Sequence, residues 1–300
     1  ITAILPVIDA PKKFKDRLAD FQAFVKANAA KLQENEVINS HFAELEAALA
    51  ELEDGADDLS DALRIQLKQL GLELSTTDLD DEIIADFAQQ AEAVRKNFYV
   101  FMATEYGTIK RVELEQFSNV RSNGLRAIEL NGDDTLIGVA ITDGEQQIML
   151  FSNEGKAIRF AETDVRSMGR SAKGVRGMRV TIGAAAQLED AETDVDSDDE
   201  DTSDSALISR IVSLVVVPET GEVLCACANG YGKRTPVGEF PTKKRGGKGV
   251  IAIKTSERNG ELVGAVSIDE SKELMLISDG GTMVRTRASE VATTGRNAQG

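Results

Sequence analysis

Four segments of this chain align with one another without a gap, and no other feature restricts its fold as tightly. They are TEYGTIKRVELEQF from Thr104, SNEGKAIRFAETDV from Ser152, CANGYGKRTPVGEF from Cys227 and SDGGTMVRTRASEV from Ser278. Each has glycine at its fourth position (Gly107, Gly155, Gly230, Gly281) and arginine four residues later (Arg111, Arg159, Arg234, Arg285). Six residues further on stands Phe117, Val165, Phe240 or Val291, preceded by an acid in three copies (Asp164, Glu239, Glu290) and by Gln116 in the first. The glycine-to-glycine spacings are 48, 75 and 51, and removing the 25 residues 184–208 brings the middle one to 50. A period near 50 residues belongs to propellers and related arrays rather than to an ordinary domain.

Apolar, β-branched runs precede each glycine. LIGVAIT leads through a turn to QIMLFS, IVSLVVV to VLCACA and LVGAVSI to LMLIS, and each pair is expected to form a hairpin. The repeated glycine suits a turn with positive φ, and the strand bearing the arginine follows it. A further strand such as VIAIK brings each unit to about four strands, as in a propeller blade. The expected fold class is mainly β, with β-pinwheel or propeller-like blades of about 50 residues and an α-helical insertion in one hairpin.

The insertion is read at residues 10–95. ITAILPVID resembles IVSLVVVPE in type, yet its expected partner NFYVFMA begins only at Asn97. Between them Phe14, Leu18, Phe21 and Val25 recur at helical spacing, as do Phe42, Leu45, Leu49 and Leu52, and Ile83, Phe87, Ala91 and Val94. Three or four amphipathic helices are expected there, with Thr77 as one N-cap. The pinwheel is then expected over 1–9 plus 96–300, and a disordered acidic loop over 184–208.

The formal charge of -17 is unevenly spread. Residues 1–95 carry -11 and residues 184–208 carry -10, whereas 96–183 and 209–300 carry +1 and +3. The loop after each repeat reverses the sign. The loops 118–126, 166–179, 241–249 and 292–300 hold 12 Lys and Arg and no acid. Their candidate duplex-binding residues are Arg121 and Arg126; Arg166, Arg170, Lys173, Arg176 and Arg179; Lys243, Lys244, Arg245 and Lys248; and Arg296. Three loops share Arg-x-x-x-Gly (Arg170 to Gly174, Arg245 to Gly249, Arg296 to Gly300), where glycine is expected to let backbone N–H groups approach phosphate. Aromatic residues are few, which favours duplex backbone over stacked single strands. Arg111, Arg159, Arg234 and Arg285 are candidates for either DNA binding or structure, the structural reading pairing each with the acid five residues on.

Other chemistry finds little support. GGKG lacks the upstream glycine and the Ser or Thr of a phosphate-binding P-loop. DVDSDDED lacks the glycine and terminal glutamate of a calcium loop. His41 is the only histidine, and Cys225 and Cys227 read as core on one strand face, fitting a reducing cytoplasm. No apolar run approaches the roughly 20 residues of a membrane helix. The chain opens at Ile1 without an initiator methionine or a signal-peptide pattern, and is read as a piece of a longer protein.

FMATEYGTIKR, LFSNEGKAIRF, VRSMGRSAKGVRG, NGYGKRTPVGEFPTKKRGGKGVI and SDGGTMVRTRASEV resemble blades of the C-terminal domain of DNA gyrase A. The resemblance covers residues 1–9, 96–183 and 209–300 and does not extend to the helical or acidic segments. It implies a pinwheel that wraps duplex DNA to direct negative supercoiling by a bacterial, cytoplasmic type IIA topoisomerase. The family's basic box, Q-R-R-G-G-K-G, belongs to its first blade, is expected upstream and is absent here; KKRGGKG at 243–249 resembles a second copy in a later blade. The implied partners are double-stranded DNA, gyrase B and the N-terminal part of gyrase A, with no membrane, no cofactor and no metal in this chain. The catalytic tyrosine of the family belongs to another domain, and no catalytic residue is assigned here. The alternatives are the corresponding domain of topoisomerase IV, or a propeller-like scaffold for protein partners.

Overall fold

The computed structural model describes residues 13–52, 59–76, 81–119, 122–181 and 209–300. The chain divides into two compact units, one ending at Phe98 and the other running from Tyr99 to Gly300.

The first unit is helical: α1 (Phe14–Leu32), α2 (Glu36–Glu51), α3 (Asp61–Leu74) and α4 (Glu82–Arg95). Asn35, Ser60 and Asp81 cap α2, α3 and α4 by accepting a hydrogen bond from a first-turn N–H. Thr77 lies outside the described residues, and Asp81 fills the role expected of it. The apolar stripes meet in one core that includes Phe21, Leu32, Ile38, Leu45, Leu70 and Phe87. On α4 the buried member is Ile84, one position beyond the expected Ile83. No helix among the described residues is long and apolar enough to cross a membrane.

The second unit is built of β-strands: β1 (Tyr99–Thr104), β2 (Thr108–Glu113), β3 (Leu136–Thr142), β4 (Gln147–Ser152), β5 (Lys156–Ala161), β6 (Val175–Arg176), β7 (Ile211–Val217), β8 (Glu222–Cys227), β9 (Gly232–Pro236), β10 (Val250–Ile251), β11 (Leu262–Ile268), β12 (Glu273–Ile277) and β13 (Met283–Arg287). The repeated glycine closes the hairpins β1–β2, β4–β5, β8–β9 and β12–β13, with φ of 84°, 79°, 82° and 80° at Gly107, Gly155, Gly230 and Gly281. A turn of 3-10 helix follows the second strand in every copy.

The expected pairing of LIGVAIT with QIMLFS, and of its two counterparts, is not what forms. The strand orders are β3-β1-β2-β6, β7-β4-β5-β10, β11-β8-β9 and β12-β13. Thus β3, β7 and β11 each pair antiparallel with the hairpin of the preceding copy. The short strands β6 and β10 reach back in the same way to β2 and β5. Each outer strand crosses from one sheet to the next instead of folding back on its neighbour in sequence.

The physical reason lies in β4. Ile148 and Leu150 join one buried cluster with Phe101 and Phe160, whereas Met149 and Phe151 join another with Val215, Cys225 and Phe240. A strand covered on both faces gains from every apolar side chain, so it needs no polar alternation and carries no mark of its partner. Residues 1–9, expected to pair with 97–104, lie outside the described residues. The two edges of β1 are held by β2 and β3. The acidic block 184–208 also lies outside the described residues.

Candidate nucleic-acid interface

The interface is assembled where each basic loop leans on the strand of the copy before it. The backbone N–H of Met168, Lys243 and Thr294 donates to the carbonyl of Arg111, Arg159 and Arg234 at 2.9, 2.8 and 2.9 Å. The loops also join one another. Gly246 N–H donates to Gly177 O at 2.6 Å and Arg179 N–H to Gly247 O at 2.9 Å, and the next junction repeats this with Lys254 N–H to Ala298 O at 3.0 Å. Loops separated in sequence thereby become one continuous backbone band.

Its glycines serve this packing. A Cβ on Gly174 would stand 2.6 Å from the Ile109 carbonyl oxygen, and one on Gly249 2.5 Å from that of Ala157, both at positive φ. Their small size lets the loop lie against the preceding strand.

The arginines of Arg-x-x-x-Gly brace the same junctions. Arg245 Nη1 donates to Arg176 O at 3.0 Å and its Nε to Asp164 O at 3.1 Å. Arg296 Nη1 donates to Ile251 O at 3.2 Å. Arg176 and Ile251 lie at the same place in successive copies, six residues past the motif arginine. Arg296 N–H also donates to Glu239 at 3.0 Å, so an acid closes on the fourth loop. Arg245 and Arg296 therefore position the band. The exposed cations are Arg126, Arg166, Lys173, Arg176, Arg179, Lys243, Lys244 and Lys248, with Arg170 half-buried. Arg121 lies outside the described residues.

Lys254 closes the basic stretch PTKKRGGKGVIAIK but lies just beyond the loop 241–249 to which the sequence-based candidates are confined. It is exposed and occupies in copy three the position of Arg179 in copy two, since both donate their backbone N–H to the following loop. Aligning copies two and three beyond the shared glycine, where Arg179 and Lys254 both stand five residues on, identifies it.

The four repeated arginines point inward or along their own hairpin, and none pairs with the acid five residues on. Arg234 meets Glu222 at 2.5 Å, Glu270 at 3.3 Å and Val291 O at 2.9 Å. Arg285 pairs with Glu273. Arg159 donates to Val237 O and Phe240 O. Arg111 lies 4.4 Å from the Tyr99 ring centroid and 3.8 Å from Glu162, a fully buried carboxyl that desolvation pushes upward in pKa. Register explains the difference: Phe101, Met149, Leu224 and Met275 stand opposite the four arginines, and the diagonal neighbour two residues before each of these, twelve upstream of the arginine, is Tyr99, Gln147, Glu222 or Glu273.

Beside two of these arginines stands a buried lysine. Lys110 Nζ donates to the carbonyls of Ala127 (2.8 Å), Arg170 (2.5 Å) and Ala172 (2.8 Å), and Lys233 Nζ to those of Gly295 (2.5 Å) and Arg296 (2.7 Å). Both side chains are fully buried, and desolvation lowers both pKa values, that of Lys110 to about 8. Cys225 and Cys227 are core thiols, that of Cys225 pushed up to about 12 by burial. No cluster of three or more metal-binding side chains occurs among the described residues.

The repeat boundaries coincide with a known family. Residues 99–143, 146–189, 221–269 and 272–300 match the one described as DNA gyrase C-terminal domain, beta-propeller. The chain belongs to this family. It is 47% identical over 211 residues to the DNA gyrase A protein of Haemophilus influenzae, covering 69% of this chain and 24% of the relative. It is 49% identical over 203 residues to that of Pseudomonas aeruginosa, covering 67% of this chain and 19% of the relative. The chain thus spans about a quarter or less of these relatives. A solved DNA gyrase A C-terminal domain superposes with a TM-score of 0.55 at 26% identity, over 68% of this chain and 60% of the other. The C-terminal domain of DNA topoisomerase IV gives 0.57 at 24% identity, over 68% of this chain and 56% of the other, a likeness of fold alone. The gyrase C-terminal β-pinwheel fold is the architecture of this chain's repeats.

Proposed function

We propose that the β unit binds duplex DNA through its phosphates and bends it, acting as the DNA-wrapping part of a gyrase A protein. One observation carries this reading: exposed cations of copies two and three stand on loops hydrogen-bonded to each other through Arg179 and Gly247. Charges on successive loops of such a band fit successive phosphates of a bent duplex. Each neutralised phosphate releases condensed counterions, and backbone contacts of this kind read no bases. Curvature follows where the added phosphate pairings outweigh the elastic cost of bending. Lys243, Lys244 and Lys248 are the central contacts, flanked by Arg166, Lys173, Arg176, Arg179 and Lys254. Arg126 and Arg170 extend the band toward copy one.

Binding of this kind needs no bond chemistry, cofactor or metal from this chain. Cleavage and passage of DNA would fall to the rest of gyrase A and to gyrase B, in the cytoplasm. The test is a duplex titration against salt with Lys243, Lys244 and Lys248 changed together to alanine. Log K should fall with log salt by about 0.9 per contacted phosphate, so the triple variant should lose up to about 3 units of slope on every duplex alike. Equal affinity and slope in variant and parent would reject the phosphate-binding role. A parent whose binding ignores salt would indicate a scaffold for protein partners instead.

A further inference from the structure

The buried lysines lie beneath the band, not on it. Lys110 and Lys233 each immediately precede the repeated arginine, yet side chains at this depth contact no solvent-borne ligand. What their ammonium groups touch is the underside of the next copy's loop, including the carbonyl of its Arg-x-x-x-Gly arginine, Arg170 or Arg296. An ammonium has three donors and no acceptor, so three converging carbonyls satisfy Lys110 completely. One of the three, Ala127 O, belongs to the chain that leaves copy one's own basic loop. The lysine therefore couples two loops at one point. In copy two the equivalent residue is Ile158, whose Cδ1 would lie 3.7 Å from a Cβ on Gly247. There apolar contact fills the same space beneath a Gly-Gly pair.

We propose that Lys110 and Lys233 are positioning residues for the DNA-binding band, each fixing the loop of the following copy from below so that its exposed cations are held ready for phosphate. The arrangement lowers the entropy lost on binding, because the loop is ordered before DNA arrives. The role in DNA binding rests on the proposed function; the fixing of the loops does not.

The test measures amide hydrogen exchange, duplex affinity and melting on the 300-residue chain carrying Lys110→Met or Lys233→Met. Losing a charged donor to buried carbonyls should speed local exchange about tenfold or more, over 166–176 for the first variant and 292–298 for the second. Duplex affinity should fall several-fold in Lys110→Met and less in Lys233→Met, whose loop carries one cation. Unchanged exchange in those windows would overturn the proposal. So would faster exchange with unchanged affinity in a parent that binds duplex DNA. A parent that binds no DNA while the local exchange effect persists would reject the proposed function and leave the loop fixing supported. If methionine unfolds the β unit, Lys110→Gln keeps two donors at the same depth. Protection lost only around 126–130 and 166–176 then supports the proposal, and protection lost evenly over all four sheets overturns it.

Discussion

Arg234 on β9 is paired with Glu222 on β8 at 2.5 Å, twelve residues upstream across the glycine turn. Copy four repeats the pair as Arg285 with Glu273. In copy one Arg111 stands over Tyr99 instead, and in copy two the equivalent position holds the neutral Gln147. Buried Gln147 Oε1 and Arg159 Nε both lack a hydrogen-bond partner. Arg111 Nε of copy one also lacks a partner, so the two copies without a glutamate at this position are the two with an unsatisfied guanidinium nitrogen.

Gln147→Glu should therefore stabilise the β unit, by about 1 kcal/mol, by giving an already buried guanidinium a charged acceptor. Glu222→Gln should act in the opposite direction by about 2 kcal/mol, since Arg234 would remain buried with less compensation. Calorimetric melting of both variants checks the pair, and a destabilised Gln147→Glu would show that desolvation outweighs the new contact.

Lys110 gives the stability a defined pH dependence. Its folded pKa of about 8 lies below the ordinary 10.5, with burial lowering it and Glu129 pulling the other way. Between those values the unfolded chain holds the extra proton, so this site's contribution to stability rises with pH through the window. Below about 8 the cost of the buried charge is fully present. Melting of the parent minus that of Lys110→Gln should climb from pH 8 to 10.5; a flat difference would show an unshifted lysine.

Arg245 and Lys254 should separate bracing from binding. Lys254→Ala should reduce the salt slope of duplex binding by about 1 with little change in melting. Arg245→Ala should cost about 1 kcal/mol of stability, because the Arg176 and Asp164 carbonyls lose their donor. Equal effects of the two on melting would contradict the distinction.

The acidic block leaves and returns at one place, since Ser209 N–H donates to Thr181 O at 2.8 Å. Replacing 182–208 by a short glycine-serine turn removes ten acids and no Lys or Arg, taking the formal charge from -17 to -7. The β unit should keep its melting behaviour, and duplex binding should tighten at low salt, because a tethered polyanion competes at high local concentration. Unchanged affinity in 50 mM-range salt, about the level at which such contacts are strong, would rule out that competition.

The repeat, its turn glycines and the helical stripes were legible in the sequence because each follows a fixed spacing. Strand partnership was not. LIGVAIT and QIMLFS are neighbours along the chain, but burial of both faces of β4 erases the alternation that would reveal which strand lies beside which. Lys110 and Lys233 carry no local mark of burial, since one stands between Ile109 and Arg111 and the other between Gly232 and Arg234. The loop cations were visible as a cluster without acids. The division of labour between Arg245 and Lys248 depends on backbone carbonyls from another copy, which no local pattern records.

The lending of β3, β7 and β11 to the sheet before them separates the unit that is inherited from the unit that is folded. A duplication of one sequence repeat delivers a hairpin together with the outer strand that completes its predecessor. Such an array can gain a member by copying one stretch of gene, and the new hairpin then awaits its own outer strand from whatever follows. Cutting the chain between two repeats has the reverse result, stripping the last retained sheet of strands encoded beyond the cut. Domain boundaries for engineering this architecture belong after an outer strand, not after a hairpin.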